Sequence, residues 1–145
     1  MDDKGIIFTL DAALGLIIVF ILLAVVVSVN DSQLSSPPQI RLSHEAQDTL
    51  ETMAIYKTGP EGFTVLQNVA VILAASNNDE TGIKEAGQVA GIYLNQTLRS
   101  SKYNFTEVNQ VNTTIAANAD MKNASNIGVG VKSYQSYMFR LYVWD

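Results

Sequence analysis

The sequence predicts an α+β protein: a long N-terminal hydrophobic helix followed by a small head whose helices pack on a C-terminal antiparallel sheet. Three observations predict it. Residues 6–29 are apolar except for Thr9, Asp11 and Ser28, and 12–27 carries no polar side chain. Apolar residues then recur every three or four positions through three stretches between 42 and 98, the period of an amphipathic helix. Beyond Lys102 the period drops to two, the alternation of a strand, and helices first with strands last is the order of an α+β domain.

At about 1.5 Å per residue, a helix over 6–29 reaches about 36 Å and exceeds a hydrocarbon core of about 30 Å, so it is predicted to span a membrane. Asn30, Asp31 and Ser32 follow, then Ser35-Ser36-Pro37-Pro38. Two prolines disfavour helix continuation and make a semi-rigid spacer, which marks 30–40 as a linker and 41–145 as the head. Within the head, Leu42, Ala46, Leu50 and Met53 predict a helix over 41–57, stopped by Gly59-Pro60. Val65, Leu66, Val69, Ile72 and Leu73 predict a second and more deeply buried helix with Thr64 as its N-cap. Asn77, Asn78 and Asp79 form a polar turn. Ile83, Ala86, Ala90, Leu94 and Leu98 trace a third helix, in which Gly87 and Gly91 leave room for another backbone to come close.

The strands begin at Tyr103 and Phe105. Ile127, Val129 and Val131 alternate with Gly128, Gly130 and Lys132, and the polar stretch 133–136 reverses the chain into a hairpin with Tyr137, Phe139, Leu141 and Val143. Tyr137 and Phe139 share one face, with Tyr142 and Trp144 placed opposite. Most of these aromatics, counted with Tyr134, are expected in the core. If the last strand lies at a sheet edge, Trp144 instead becomes a contact for another subunit or a surface ligand.

Composition excludes several classes of function. The chain has 145 residues, 16% of them charged, and a net charge of −5. The basic footprint of a nucleic-acid binder is missing. Without cysteine there is no disulfide, no thiolate metal site and no thiol nucleophile. His44 is the only histidine, so a histidine-rich metal site is excluded and a Ser-His-Asp triad would rest on it alone. The stretch 77–88 places Asp79 and Gly82 as a calcium loop would, but it has Gln88 where a bidentate glutamate is needed; it reads as a capping turn. No catalytic, cofactor-binding or metal-binding residue is expected, and the chain is not expected to be an enzyme.

The junction Asp3-Lys4-Gly5-Ile6-Ile7 carries the most specific signal. A secretory signal peptide has a positive n-region, whereas here the α-amino group and Lys4 are offset by Asp2 and Asp3. A secretory cut at Val29, with Val26 and Ser28 as the small residues before it, is one alternative. Lys4-Gly5-Ile6-Ile7 resembles the class III signal peptide of archaeal type IV pilin-like precursors: a charged residue, Gly or Ala, then two apolar residues. Phe8-Thr9-Leu10-Asp11 looks like the start of a type IV pilin, and the chain is similar to short fimbrial surface proteins of methanogenic archaea. The resemblance covers about the first 30 residues, and the head shares only the general plan.

The resemblance implies that 1–5 is a leader, cut by a prepilin peptidase on the cytoplasmic side between Gly5 and Ile6. It implies that 6–29 is retained as the packing core of a filament. The chain would then be a structural subunit of an adhesive, type IV pilus-like fimbria. Its partners would be copies of itself, the peptidase, the pilus assembly machinery and the membrane. The precursor would sit in the cell membrane and the mature form in a surface filament. Many pilins carry an acid at the fifth mature residue, whereas this cut makes Asp11 the sixth. In the assembly role, Asp11 pairs with the new ammonium of Ile6 in a neighbouring subunit; alternatively it lies at headgroup depth and meets water. The competing function is a single-pass anchored extracellular binding or sensor module that does not polymerise.

Five Asn-x-Ser/Thr triplets begin at Asn30, Asn95, Asn104, Asn112 and Asn123, where eleven asparagines would give about one or two by chance. A glycan acceptor must lie on the surface of a translocated region. Four of the five fall within 95–125, and none falls in 41–75 or after 125. The middle stretch is therefore expected to face outward, leaving the other surfaces for neighbouring subunits.

Overall fold

The computed structural model of the chain describes residues 37–58 and 62–145. Three helices, α1 (Pro37–Ile55), α2 (Val65–Ala75) and α3 (Glu80–Thr97), precede four strands, β1 (Lys102–Glu107), β2 (Thr113–Ala117), β3 (Gly128–Tyr134) and β4 (Tyr137–Trp144). The strands form one antiparallel sheet in the order β2-β1-β4-β3. All three helices lie on one side of it, α1 over β3 and β4, α3 over β2, and α2 between them.

The expected fold class is corrected by this arrangement. The described residues form three helices on a four-stranded antiparallel sheet, and no helix among them is long and apolar enough to cross a membrane. α1 has 19 residues, but Arg41, His44, Glu45, Asp48 and Glu51 make it amphipathic, with Leu42, Ala46, Leu50 and Met53 fully buried. The long hydrophobic helix expected over 6–29 lies outside the described residues. Helix α1 also starts earlier than predicted, because Pro37 and Pro38 occupy its first turn rather than a spacer. A first-turn proline lacks only an N–H that has no intrahelical partner, and its fixed φ suits a helix.

The other helices follow their local chemistry. Thr64 caps α2 through a capping box, in which Thr64 Oγ1 accepts from Gln67 N (3.2 Å) and Gln67 Oε1 accepts from Thr64 N (2.9 Å). Asn77 and Asn78 adopt positive φ in the turn before α3, and Asp79 Oδ1 accepts from Gly82 N at 2.7 Å as the N-cap. On α3, Gly87 sits where a Cβ would strike the Ile115 carbonyl, so its missing side chain sets how closely α3 approaches β2.

Strand β4 lies inside the sheet between β1 and β3, not at an edge, and Trp144 is only 2% exposed. The β3–β4 hairpin closes through Gln135 and Ser136, with Gln135 at φ 52°. Tyr103, Phe105, Phe139, Leu141 and Val143 face the helices, and the Phe105 and Phe139 rings stack with centroids 5.4 Å apart. The β2–β3 connection crosses from one sheet edge to the other and contains a short 3₁₀ turn, Met121–Asn123.

Gly128 and Gly130 face α1. A Cβ on Gly128 would run into the backbone of Leu42 and Ser43, and one on Gly130 would come within 2.8 Å of the Ala46 carbonyl. Gly128→Ala is therefore expected to lower stability by about 1–3 kcal/mol through overpacking against backbone. Gly91→Ala, which meets nothing nearer than the Tyr103 hydroxyl at 4.0 Å, should raise it by about 0.5–1 kcal/mol. Urea midpoints of the two variants check both signs.

Candidate functional site

The sheet face turned away from the helices has two halves. On the β1–β2 side, Asn104, Thr106 and Thr114 alternate outward, and a shallow cavity of about 290 Å³ is lined by Thr106, Asn112, Thr114, Arg140 and Tyr142. Arg140 Nη1 donates to Tyr142 Oη at 3.1 Å, and the guanidinium lies 6.0 Å from the centre of that ring. Arg140 forms no ion pair among the described residues. On the β3–β4 side, Val129, Val131 and Met138 stand exposed, Val129 at 40% and Val131 at 41%.

A second cavity, of about 310 Å³, opens in the helical layer where the end of α1, the start of α2 and the middle of α3 meet. Tyr56, Val65, Val89, Ile92 and Tyr93 supply apolar walls, while Asn68 and Gln96 add amides. The Tyr56 and Tyr93 rings approach to 5.7 Å. Around it, Ile92 is 65% and Ile55 74% exposed. Such large side chains left in water together mark an interaction surface more than a finished core.

The predicted cleavage residues Gly5 and Ile6, the assembly residue Asp11 and the acceptor Asn30 lie outside the described residues. The other four acceptors divide into two kinds. Asn112, in a turn at φ 51°, and Asn123, in the 3₁₀ turn, are exposed, and neither side chain makes a hydrogen bond among the described residues. Asn95 and Asn104 sit within α3 and β1, and both side-chain oxygens are engaged. Asn95 Oδ1 accepts from Tyr103 Oη at 3.0 Å; burial raises the pKa of that phenol and keeps it a donor. Asn104 is half-buried, and its Oδ1 accepts from Thr114 Oγ1 at 3.3 Å. The sequons of Asn104 and Asn112 are thus brought together through Thr114, whereas Asn95 and Asn123 stand on separate elements. His44 is an exposed residue of α1. No group of three or more metal-ligating side chains occurs among the described residues.

Sequence reasoning missed Glu107, the most constrained polar residue of the head. It is fully buried at the end of β1. Its Oε1 accepts from the backbone N–H of Asn109 (3.0 Å) and Met138 (2.9 Å). Its Oε2 accepts from Gln110 (2.8 Å), Val111 (2.6 Å) and Asn112 (3.4 Å). Burial pushes this carboxyl up, but the N–H groups of Val111, Met138, Asn109 and Gln110 outweigh it and hold the pKa below the usual value of 4.5. The carboxylate orders the loop that presents Asn112. The sequence held no periodic clue to it. The helical-layer cavity did leave one, since Ile92 lies off the Ile83, Ala86, Ala90, Leu94 stripe.

Comparison with protein-family models, with characterised proteins and with solved structures finds no match.

Because the Glu107 pKa is lower folded than unfolded, its stabilising contribution is complete above the unfolded value and is lost as pH falls through the folded one. Acid should therefore destabilise the head progressively below about pH 4.5. Glu107→Gln cannot accept at both oxygens and should cost about 3 kcal/mol at neutral pH while flattening that acid dependence. Chemical denaturation across a pH series measures both effects.

Proposed function

We propose that the chain is the structural subunit of a type IV pilus-like surface filament, processed between Gly5 and Ile6 and assembled through the apolar run 6–29. The observation that carries this reading is the junction Lys4-Gly5-Ile6-Ile7 leading directly into 12–27, which holds no polar side chain. A run of that length partitions into a bilayer before assembly, and copies of it associate by close packing once gathered. The head then coats the filament outside the cell. One feature of the head supports a display role: acceptors Asn112 and Asn123 are exposed outside the helices and strands, where a glycan has room. Adhesion is the role proposed for the filament, with an outward, glycan-bearing surface toward its target.

Asp11 is the proposed assembly residue. A carboxylate in an apolar run costs about 2.5–3.5 kcal/mol at the membrane centre and less toward the interface, so a partner cation favours association. The ammonium freed at Ile6 of a neighbouring copy supplies that cation.

The mature protein sheared from cells should begin at Ile6 by intact mass and N-terminal sequencing, and electron microscopy of the sheared material should show filaments made of it. A start at Met1 without filaments would establish the anchored binding module instead, and a start at Val29 a secreted protein. Asp11→Ala should sharply reduce filament yield without changing the thermal unfolding of the head; normal yield would remove Asp11 from assembly.

A further inference from the structure

The two exposed apolar surfaces belong to opposite layers of the head. One surrounds the cavity bounded by Tyr56, Val89 and Ile92 in the helical layer. The other is the β3–β4 half of the sheet face turned away from the three helices, where Val129, Val131 and Met138 point away from α1 because Gly128 and Gly130 point toward it. We propose that these surfaces meet between neighbouring copies, the helical-layer cavity of one head seating Val129, Val131 and Met138 of the next. This rests on the filament reading above and names the contact that the heads add to it.

Three observations select a second copy of this chain as the occupant. First, the surfaces differ, so joining them is heterologous: every copy that binds leaves one of each kind free, and the series continues as a filament unless its rotation closes a ring. A groove-to-groove contact would close at a dimer. Second, the charges complement. Arg140 is the register partner of Val131 and forms no ion pair among the described residues. Glu85 is exposed on the outer stripe of α3, two turns or about 10 Å before Ile92, and is likewise without an ion pair among the described residues. In a chain of net charge −5, unmatched faces repel, and one Arg140–Glu85 pair fixes which faces meet. Third, the acceptors divide to suit. Asn104 pairs in register with Tyr142 beside one patch, and Asn95 lies one helical turn from Ile92 beside the other. These are the two acceptors whose side-chain oxygens are already engaged inside the head. The contact therefore leaves Asn95 and Asn104 bare, and because Asn112 lines the same cavity as Arg140 and Tyr142, Asn123 on the β2–β3 connection is the acceptor outside that cavity.

The chain has no cysteine, so the contact can be tested in the full-length protein. Ile92→Cys and Val131→Cys together, in assembled filaments treated with a short bifunctional maleimide, should give a denaturing-gel ladder of rising multimers, while each single variant stays monomeric. A dimer from either single variant, or filaments without a ladder, overturns the contact and leaves the filament reading standing. If the wild-type chain forms no filament at all, the filament reading falls first. A charge exchange provides an independent measure that does not depend on cross-linker reach. Arg140→Glu and Glu85→Arg should each reduce filament yield severalfold, and the double variant should restore it; wild-type yield from either single variant overturns the proposal. Mass spectrometry of filament peptides should find Asn95 and Asn104 unmodified, and a glycan on either within filaments also overturns it.

Discussion

The distance at which α1 lies on β3 governs the rest of the head. Gly128 and Gly130 present bare backbone to Leu42, Ser43 and Ala46, so helix and strand meet without side chains between them on that line. The helix is then held in register from the side. Gln47 Oε1 accepts from Val131 N at 3.1 Å, and Lys132 Nζ reaches Glu51 at 2.5 Å. The sheet edge crossed by this contact is thereby covered. With α1 sunk over β3, the larger residues of β1 and β4 find their space farther along, under α2 and α3, where the Phe105 and Phe139 rings stack. The approach of α3 to β2 repeats the solution with Gly87 against the Ile115 carbonyl.

Local signals were legible in the sequence because they are enforced locally. The stripes of α1, α2 and α3, the Thr64 cap, the Asn77-Asn78-Asp79 turn and the β3–β4 hairpin each depend on residues within one or two turns of one another. What depended on partners far along the chain was not legible. Nothing in Tyr137–Trp144 says that β1 pairs on its other side and makes it central. Thr113–Ala117 is short and mostly small or polar, and it becomes a strand by pairing with β1 through a bulge opposite Phe105 and Thr106. Pro37-Pro38 reads as a spacer, and the docking of α1 makes it the first turn of a helix instead.

The site divides along the same line. Glu107 stands in the core alternation of β1 with Tyr103 and Phe105, where a charged residue gives no apolar signal. Of its five backbone donors, four come from the loop that follows it, 109–112, and one from Met138 across the sheet. A buried carboxylate is tolerated there because the β1–β2 loop turns its N–H groups inward, an arrangement that favours the charged form in spite of desolvation. Polar residues on the β1–β2 side therefore serve the head's own order: on the face turned away from the helices Thr114 donates to Asn104 and Thr106 to the Arg140 carbonyl, and at the end of β1 the buried Glu107 holds the loop bearing Asn112. The β3–β4 half has no such internal use for Val129, Val131 and Met138.

Both edges of the sheet are blunted, and this limits how heads can associate. β3 has a backbone donor occupied by Gln47 and a lysine paired with α1, while β2 is five residues long and bulged. Strand addition to either edge would have to displace these groups or follow a distorted ladder. Faces are the surfaces that remain. On the helical side Ile55, Tyr56 and Ile92 are exposed around the cavity while Ile40 and Val71 are exposed elsewhere, and on the sheet side Val129, Val131 and Met138 gather on one pair of strands. With both edges blunted, a molecule that meets this head through a face hides side chains and leaves the sheet's backbone hydrogen bonds undisturbed, whereas one that meets it through an edge must first displace them.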